Sequence, residues 1–160
     1  MTDTSKKTIV VFSGDMDKVL AAFVMANGAA AMGDDVTMFF TFWGLNALRR
    51  PESVATTGKS GIQKMFGRMM PRGPAKLPLS KMNFAGMGPR LMKRVMRERN
   101  IMTLEELIAT AREQEVTMQA CTMAMDVMGL TPDELIDGVD YVGVATYLAE
   151  AEKASLNLFI

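Results

Sequence analysis

Thr8-Ile-Val-Val-Phe-Ser-Gly-Asp-Met-Asp-Lys18 and, one helix length later, Asp35-Val-Thr-Met-Phe-Phe-Thr-Phe-Trp-Gly44 are the stretches that decide the fold. Thr8 to Phe12 is a short, apolar, β-branched run of the kind that forms a buried strand. Ser13-Gly14-Asp15 turns the chain, and Asp15 is placed to cap a helix running from Met16 to about Met32. Val19, Phe23, Ala26 and Ala30 recur at helical spacing within it, and Gly33 closes it. Asp35 to Phe42 is apolar at nearly every position, which predicts a strand covered on both faces. Trp43-Gly44 ends that strand. Strand, helix and strand make a βαβ unit, the opening of a doubly wound sheet.

The remaining chain continues the alternation after an interruption. Pro71, Pro74 and Pro78 break any long helix, so Lys59 to about Gly88 reads as loop, within an insertion at about 52–88. Pro89 starts a helix to about Arg99, and the capping box Thr103-Leu-Glu-Glu106 opens another from Leu104 to about Gln114. A third strand, Val116 to Ala120, delivers Cys121, and Thr122 to Met128 is a short helix closed by Gly129. Thr131-Pro-Asp-Glu134 is a second capping box. Val139 to Val142 is a short strand, Val144, Tyr147, Leu148 and Ala151 form a helical stripe, and Leu156 to Ile160 is a last strand. The expected architecture is α/β, a three-layer α/β/α sandwich with a mostly parallel sheet of about five strands, in one domain spanning 1–160. In such sheets ligands lie beyond the carboxyl ends of the strands. Gly14 and Asp15, the Phe42-Trp43-Gly44 turn, and Cys121 with Thr122 are therefore expected to meet there.

One cysteine and no histidine narrow the chemistry. Ser-His-Asp and Cys-His pairs are impossible within the chain, as are imidazole zinc sites, an internal disulfide and a Cys-x-x-Cys centre. Cys121 sits where a strand ends and a helix begins, where free backbone N–H groups and the helix dipole favour a thiolate. Covalent chemistry is expected there. The competing reading is a buried thiol that fills space.

Composition is that of a globular chain, 49% hydrophobic with 17 methionines. The N-terminus has no signal-peptide pattern, and Val36 to Leu48 is too short and too interrupted to span a membrane. A cytoplasmic location is expected. Net charge is zero, yet Lys59 to Arg99 holds eleven Lys or Arg and a single acid, Glu98. That segment carries +10 and the rest of the chain −10.

Four blocks carry a family resemblance: Val-Phe-Ser-Gly-Asp-Met-Asp-Lys at 11–18, Val-Thr-Met-Phe-Phe-Thr-Phe-Trp-Gly-Leu at 36–45, Ala-Cys-Thr-Met-Ala-Met-Asp-Val-Met-Gly at 120–129, and Gly-Val-Asp-Tyr-Val-Gly-Val-Ala-Thr-Tyr-Leu at 138–148. With these the chain resembles the DsrE/DsrF-like family of sulfur-relay proteins. The resemblance implies a parallel α/β sandwich, usually oligomeric, whose cysteine at position 121 carries sulfur as a persulfide or related adduct. It implies sulfur-donor and acceptor partners such as TusA-like carriers, rhodaneses or small thiols, and a sulfur carrier or sulfurtransferase activity. Relatives with further cysteines or membrane-spanning helices depart from this chain, which has neither.

Competing motifs are weaker. A Cys-x5-Arg anion loop fails because Val127 stands at the arginine position, unless Arg49 or Arg50 arrives from elsewhere. Gly58-Lys59-Ser60 resembles the tail of a phosphate loop but lacks its leading glycine, since Ser53 stands there. Met123, Met125 and Met128 are explained by packing more readily than by copper(I). Asp15, Asp17 and Asp126 have no metal-ligand spacing, so neither metal nor cofactor is expected. Trp43 walls a thiol pocket or marks the rim of the sheet. Between Arg90 and Met102 the apolar residues share one helical face and Arg90, Lys93, Arg94 and Arg97 gather on the other. That face covers the sheet, the simpler reading, or meets an acidic membrane surface or protein. With only Phe66 and Phe84 in the basic stretch, nucleic-acid binding is not expected. The alternative to a sulfur carrier is a non-catalytic interaction protein that docks through 59–99.

Overall fold

Continuous burial in the first two strands leads directly to the observed sheet: residues 8–11 and 36–40 are buried without a break. The computed structural model describes residues 4–54 and 57–160. Its strands are β1 (Lys6–Val11), β2 (Asp35–Phe40), β3 (Thr117–Cys121), β4 (Val139–Val142) and β5 (Leu156–Phe159). Its α-helices are α1 (Met16–Ala31), α2 (Gly61–Met69), α3 (Met87–Glu98), α4 (Leu104–Glu113), α5 (Thr122–Met128) and α6 (Val144–Ala151). The strands form one sheet in the order β4-β3-β2-β1-β5, parallel at every pairing. β2 lies at its centre and buries every residue after Asp35, as its composition predicts.

Side-chain alternation assigns the layers. Phe23 of α1 meets Phe40 with ring centroids 5.9 Å apart, whereas Tyr147 of α6 stacks on Phe39 at 4.6 Å. Neighbouring residues of a strand point to opposite faces, so α1 and α6 lie on opposite sides of the sheet. α4 packs beside α1, where the Asn27 side chain donates to the Leu107 carbonyl at 3.0 Å. The result is the α/β/α sandwich.

Local signals explain most boundaries, and the departures have physical causes. Residues 59–88 are not loop throughout, because α2 forms ahead of the prolines. Ser60 and Gln63 close a reciprocal capping box there, with Gln63 N donating to Ser60 Oγ at 3.2 Å and Ser60 N to Gln63 Oε1 at 3.1 Å. The box at Thr131 opens only one 3-10 turn, Pro132–Glu134, since Leu135 is extended and Gly138 turns the chain at φ +81°. β2 stops at Phe40, and a 3-10 helix, Phe42–Leu48, follows. Asp15 occupies the N-cap of α1 without capping it through its side chain; its carboxylate instead lies 2.9 Å from Lys18 Nζ. Gly44 is fixed by space. A Cβ there would lie 2.0 Å from the Val11 carbonyl oxygen, while the Gly44 N–H donates to Phe12 O at 2.9 Å.

Candidate functional site around Cys121

β3 runs antiphase to its own faces: Met118 and Ala120 point one way, Gln119 and Cys121 the other. Register pairs Phe39 with Gln119 and Phe40 with Ala120, which places Cys121 on the α6 side with Phe39 and Thr41. Cys121 ends the strand in an extended conformation, is the N-cap of α5, and is 2% exposed. Gly129, in the left-handed region at φ +67°, ends that helix.

The thiol residue lines an apolar cavity of about 570 Å³. Val10 and Phe39 contribute from the sheet, Tyr147 and Leu148 from α6, and Leu158 and Phe159 from β5. Among the described residues no Asp, Glu, Lys or Arg lines it. Polar side chains beside it bond to one another or to the backbone. Thr8 Oγ1 donates to Asn157 Oδ1, Tyr147 donates to Thr8 Oγ1 at 3.2 Å, and Asn157 Nδ2 donates to Ala151 O at 3.2 Å. Gln119, 6% exposed, keeps an Oε1 with no hydrogen-bond partner among the described residues. The rim is apolar and open, with Met123 at 55%, Val144 at 57% and Phe159 at 71% exposure.

The other residues expected at the strand ends assemble next to one another but around a different hollow. Gly14, Asp15 and Trp43 line a separate cavity of about 350 Å³ together with Phe12, Lys18 and Asn46. A Cβ on Gly14 would lie 2.8 Å from the Trp43 carbonyl oxygen, so that contact needs glycine. Trp43 remains half-exposed. Phe42, at φ +47°, packs on Phe12 at 5.7 Å, and Phe12 stacks on Phe159 at 5.8 Å, which joins the turn to the rim of the thiol cavity. Thr122 follows the cysteine on α5 and is exposed. Gly44 is committed to Val11 and Phe12.

Arg49 does not supply an anion site to the cysteine. It is 1% exposed and donates to the carbonyls of Gly67, Met70 and Pro71 at 3.1, 3.3 and 3.2 Å. Glu134 lies 3.7 Å from it and accepts from Lys59 as well. Arg50 pairs with Asp137 at 2.6 Å. Burial pushes the Glu134 carboxyl up, but the Lys59 and Thr131 hydrogen bonds and the Arg49 charge outweigh it and hold the group below the ordinary carboxylate range. Lys59 of Gly58-Lys59-Ser60 thus has a structural partner. Among the described residues no group of three or more His, Cys, Asp or Glu is placed to hold a metal ion, and no helix is long and apolar enough to cross a membrane.

The model of the DsrE/DsrF/DrsH-like family matches residues 3–159. The chain belongs to that family. Over their whole lengths, this DsrE/DsrF/DrsH-like chain is 57% identical to the uncharacterized protein YrkE of Bacillus subtilis. It is 32% identical over 160 residues, 99% of each chain, to the sulfur carrier protein DsrE2 of Allochromatium vinosum. Among solved structures it resembles the ychN protein of E. coli, at 13% identity and a TM-score of 0.57, over 98% of this chain and all of that one. It also resembles MTH1491 of Methanobacterium thermoautotrophicum, at 16% identity and a TM-score of 0.54, over 96% and 98% of the two chains. These two likenesses concern the fold.

The cavity around Cys121 was the part hidden from the sequence. Phe39, Tyr147, Leu148, Leu158 and Phe159 come from three segments, and only strand order and register show that they surround Cys121. The available signal was parity: Cys121 shares a face with Gln119, so its neighbours had to come from one alternate set of β2 residues.

Proposed function

We propose that this chain is a sulfur carrier in which Cys121 holds sulfane sulfur as a persulfide and passes it to an acceptor thiol. Full-length similarity to a named sulfur carrier supports a sulfur-relay role. The observation that carries the reading to Cys121 is its position in an otherwise uncharged cavity, in a chain with no other cysteine. The Cys121 thiolate attacks the outer sulfur of a donor persulfide, and the donor leaves as a thiolate. The acceptor thiolate then attacks the outer sulfur on Cys121, which leaves as a thiolate in turn. No net oxidation occurs at either step. With no second cysteine, the adduct has no internal resolving thiol. With no histidine in the chain and no carboxylate among the described residues lining the cavity, no side chain there can take the proton of a reacting thiol, which passes to solvent. Donors and acceptors of the kind that fit are TusA-like carriers, rhodaneses and small thiols, in a reducing cytoplasm.

Intact-protein mass spectrometry tests the proposal. Native protein treated with polysulfide or with a cysteine desulfurase plus cysteine should gain sulfur, and a thiol reductant should remove it. Burial of Cys121 to 2% favours a second reading, in which the thiol only packs the core and the chain docks partners through 59–99. Iodoacetamide decides between them. Native Cys121 that resists alkylation and every donor is core, and the carrier reading ends there.

The same cavity bears on assembly. The eight-residue helix α6 and Met123 of α5 flank it, leaving Val144, Leu148 and Phe159 exposed at its rim. We extend the proposal to a homo-oligomer that covers this rim. Light scattering at micromolar concentration should report a multiple of 17.5 kDa; a monomer mass would refute it.

A further inference from the structure

A surface helix ordinarily turns its apolar stripe toward the core. α2 and α3 do the opposite. In α2, Ile62, Met65, Phe66 and Met69 recur at the spacing of one helical face, and all four are exposed, from 44% to 75%. α3 is anchored by Gly88, Pro89 and Met96, which are buried. Met87, Leu91 and Val95, four residues apart on an adjacent stripe, are 60%, 61% and 51% exposed. Leu91, Met92 and Val95, from the face expected to cover the sheet, are all exposed.

Charge completes the pattern. Arg90, Lys93, Arg94 and Arg97 follow one another around the side of α3 opposite Met92 and Val95. Between 59 and 99 the only acid is Glu98, and it pairs with Arg94 at 3.0 Å. Lys59 is consumed internally by Glu134, but Lys64, Arg68, Lys76, Lys81, Arg90, Arg97 and Arg99 are exposed.

We propose that the α2–α3 segment docks this protein on the surface of an anionic lipid bilayer. Helices with exposed apolar stripes and basic flanks lie in the interface, their apolar side chains in the headgroup and acyl boundary and their charges among anionic headgroups. The charge selects this occupant over a second copy of the chain. A symmetric self-contact through this segment would set one basic surface against another, and like charges across an interface oppose association. None of the residues lining the Cys121 cavity belongs to 59–99, so docking and sulfur chemistry can fail separately.

The test is co-sedimentation of the full chain with large vesicles of phosphatidylcholine alone and of phosphatidylcholine with phosphatidylglycerol. Binding to the mixed vesicles at about 50 mM salt, weakening at about 500 mM, is expected, with little binding to the neutral ones. Leu91→Asp/Val95→Asp should reduce partitioning roughly tenfold or more, and Arg90→Glu/Arg97→Glu similarly. All four positions are exposed, and unchanged far-UV circular dichroism and melting confirm the fold of each variant. Equal binding by wild type and both variants overturns the proposal, as does failure of wild type to bind the anionic vesicles at low salt. A drop in the light-scattering mass of Leu91→Asp/Val95→Asp without vesicles also overturns it, since the stripe would then lie between copies.

Discussion

Cys121→Ser should lose the sulfur adduct completely under donor conditions that load the wild type, and no other substitution in this chain should do so. The serine hydroxyl is smaller and is not a sulfur nucleophile, and no second cysteine exists to take over. The variant should still fold. Cys121 lies at the end of β3 rather than in its middle, and its backbone pairing with Val142 is independent of the side chain. A hydroxyl introduced at a 2% exposed site, without a designated partner, costs about 1–3 kcal/mol. Cys121→Ala avoids that cost and should lose the adduct equally. Intact mass after polysulfide treatment and urea melts of the three proteins read the two effects separately. Retained sulfur on Cys121→Ala would show that some other group carries it.

The surroundings of Cys121 and the fold were legible to different depths for a physical reason. Apolar β-branched runs at Thr8–Phe12 and Asp35–Phe42, with helical spacing between them, specify a βαβ unit from local sequence alone, and the structure contains it. Capping chemistry at Thr103 located α4, because the hydrogen bonds involved span only three residues. Parallel strands gave the sheet its sense but not its order. Placing Cys121 against Phe39 and Tyr147 requires knowing that β3 lies beside β2 and in which register, and neither is encoded locally. The rule that ligands gather at carboxyl ends led to the expectation that Gly14, Asp15 and Trp43 meet Cys121, whereas the first three line one hollow and Cys121 another. It does not say which face of the sheet a strand's last residue serves. Lys59 and Glu134 illustrate the same limit. Each sits in a recognisable local motif, and only the tertiary fold brings them into contact across 75 positions.

That contact belongs to the largest stability effect expected in this chain. Arg49 fastens the end of α2 and the turn after it to the body by donating to the Gly67, Met70 and Pro71 carbonyls, while Glu134 and Lys59 complete a cluster that is almost wholly buried. Removing Glu134 strands Arg49 and Lys59 unpaired in the interior, whereas removing Arg49 leaves the Glu134–Lys59 pair but strips the Gly67, Met70 and Pro71 carbonyls of its donors; breaking such a buried ionic cluster typically costs about 3–5 kcal/mol. Arg49→Ala should therefore lower stability by about that amount, and Glu134→Ala similarly, because it strands Arg49 and Lys59 together. The Glu134 carboxyl is held below its ordinary range when folded, so the unfolded chain binds its proton more readily. Its stabilisation is therefore complete above the ordinary carboxylate range and is lost as pH falls through the depressed folded value. Urea melts between about pH 7 and pH 3 should show wild type weakening on acidification. Glu134→Gln should be less stable than wild type at neutral pH and should lack this part of the decline, so that the gap narrows toward acid. Parallel pH profiles for the two proteins would show that the carboxylate is not the group that stabilises the cluster.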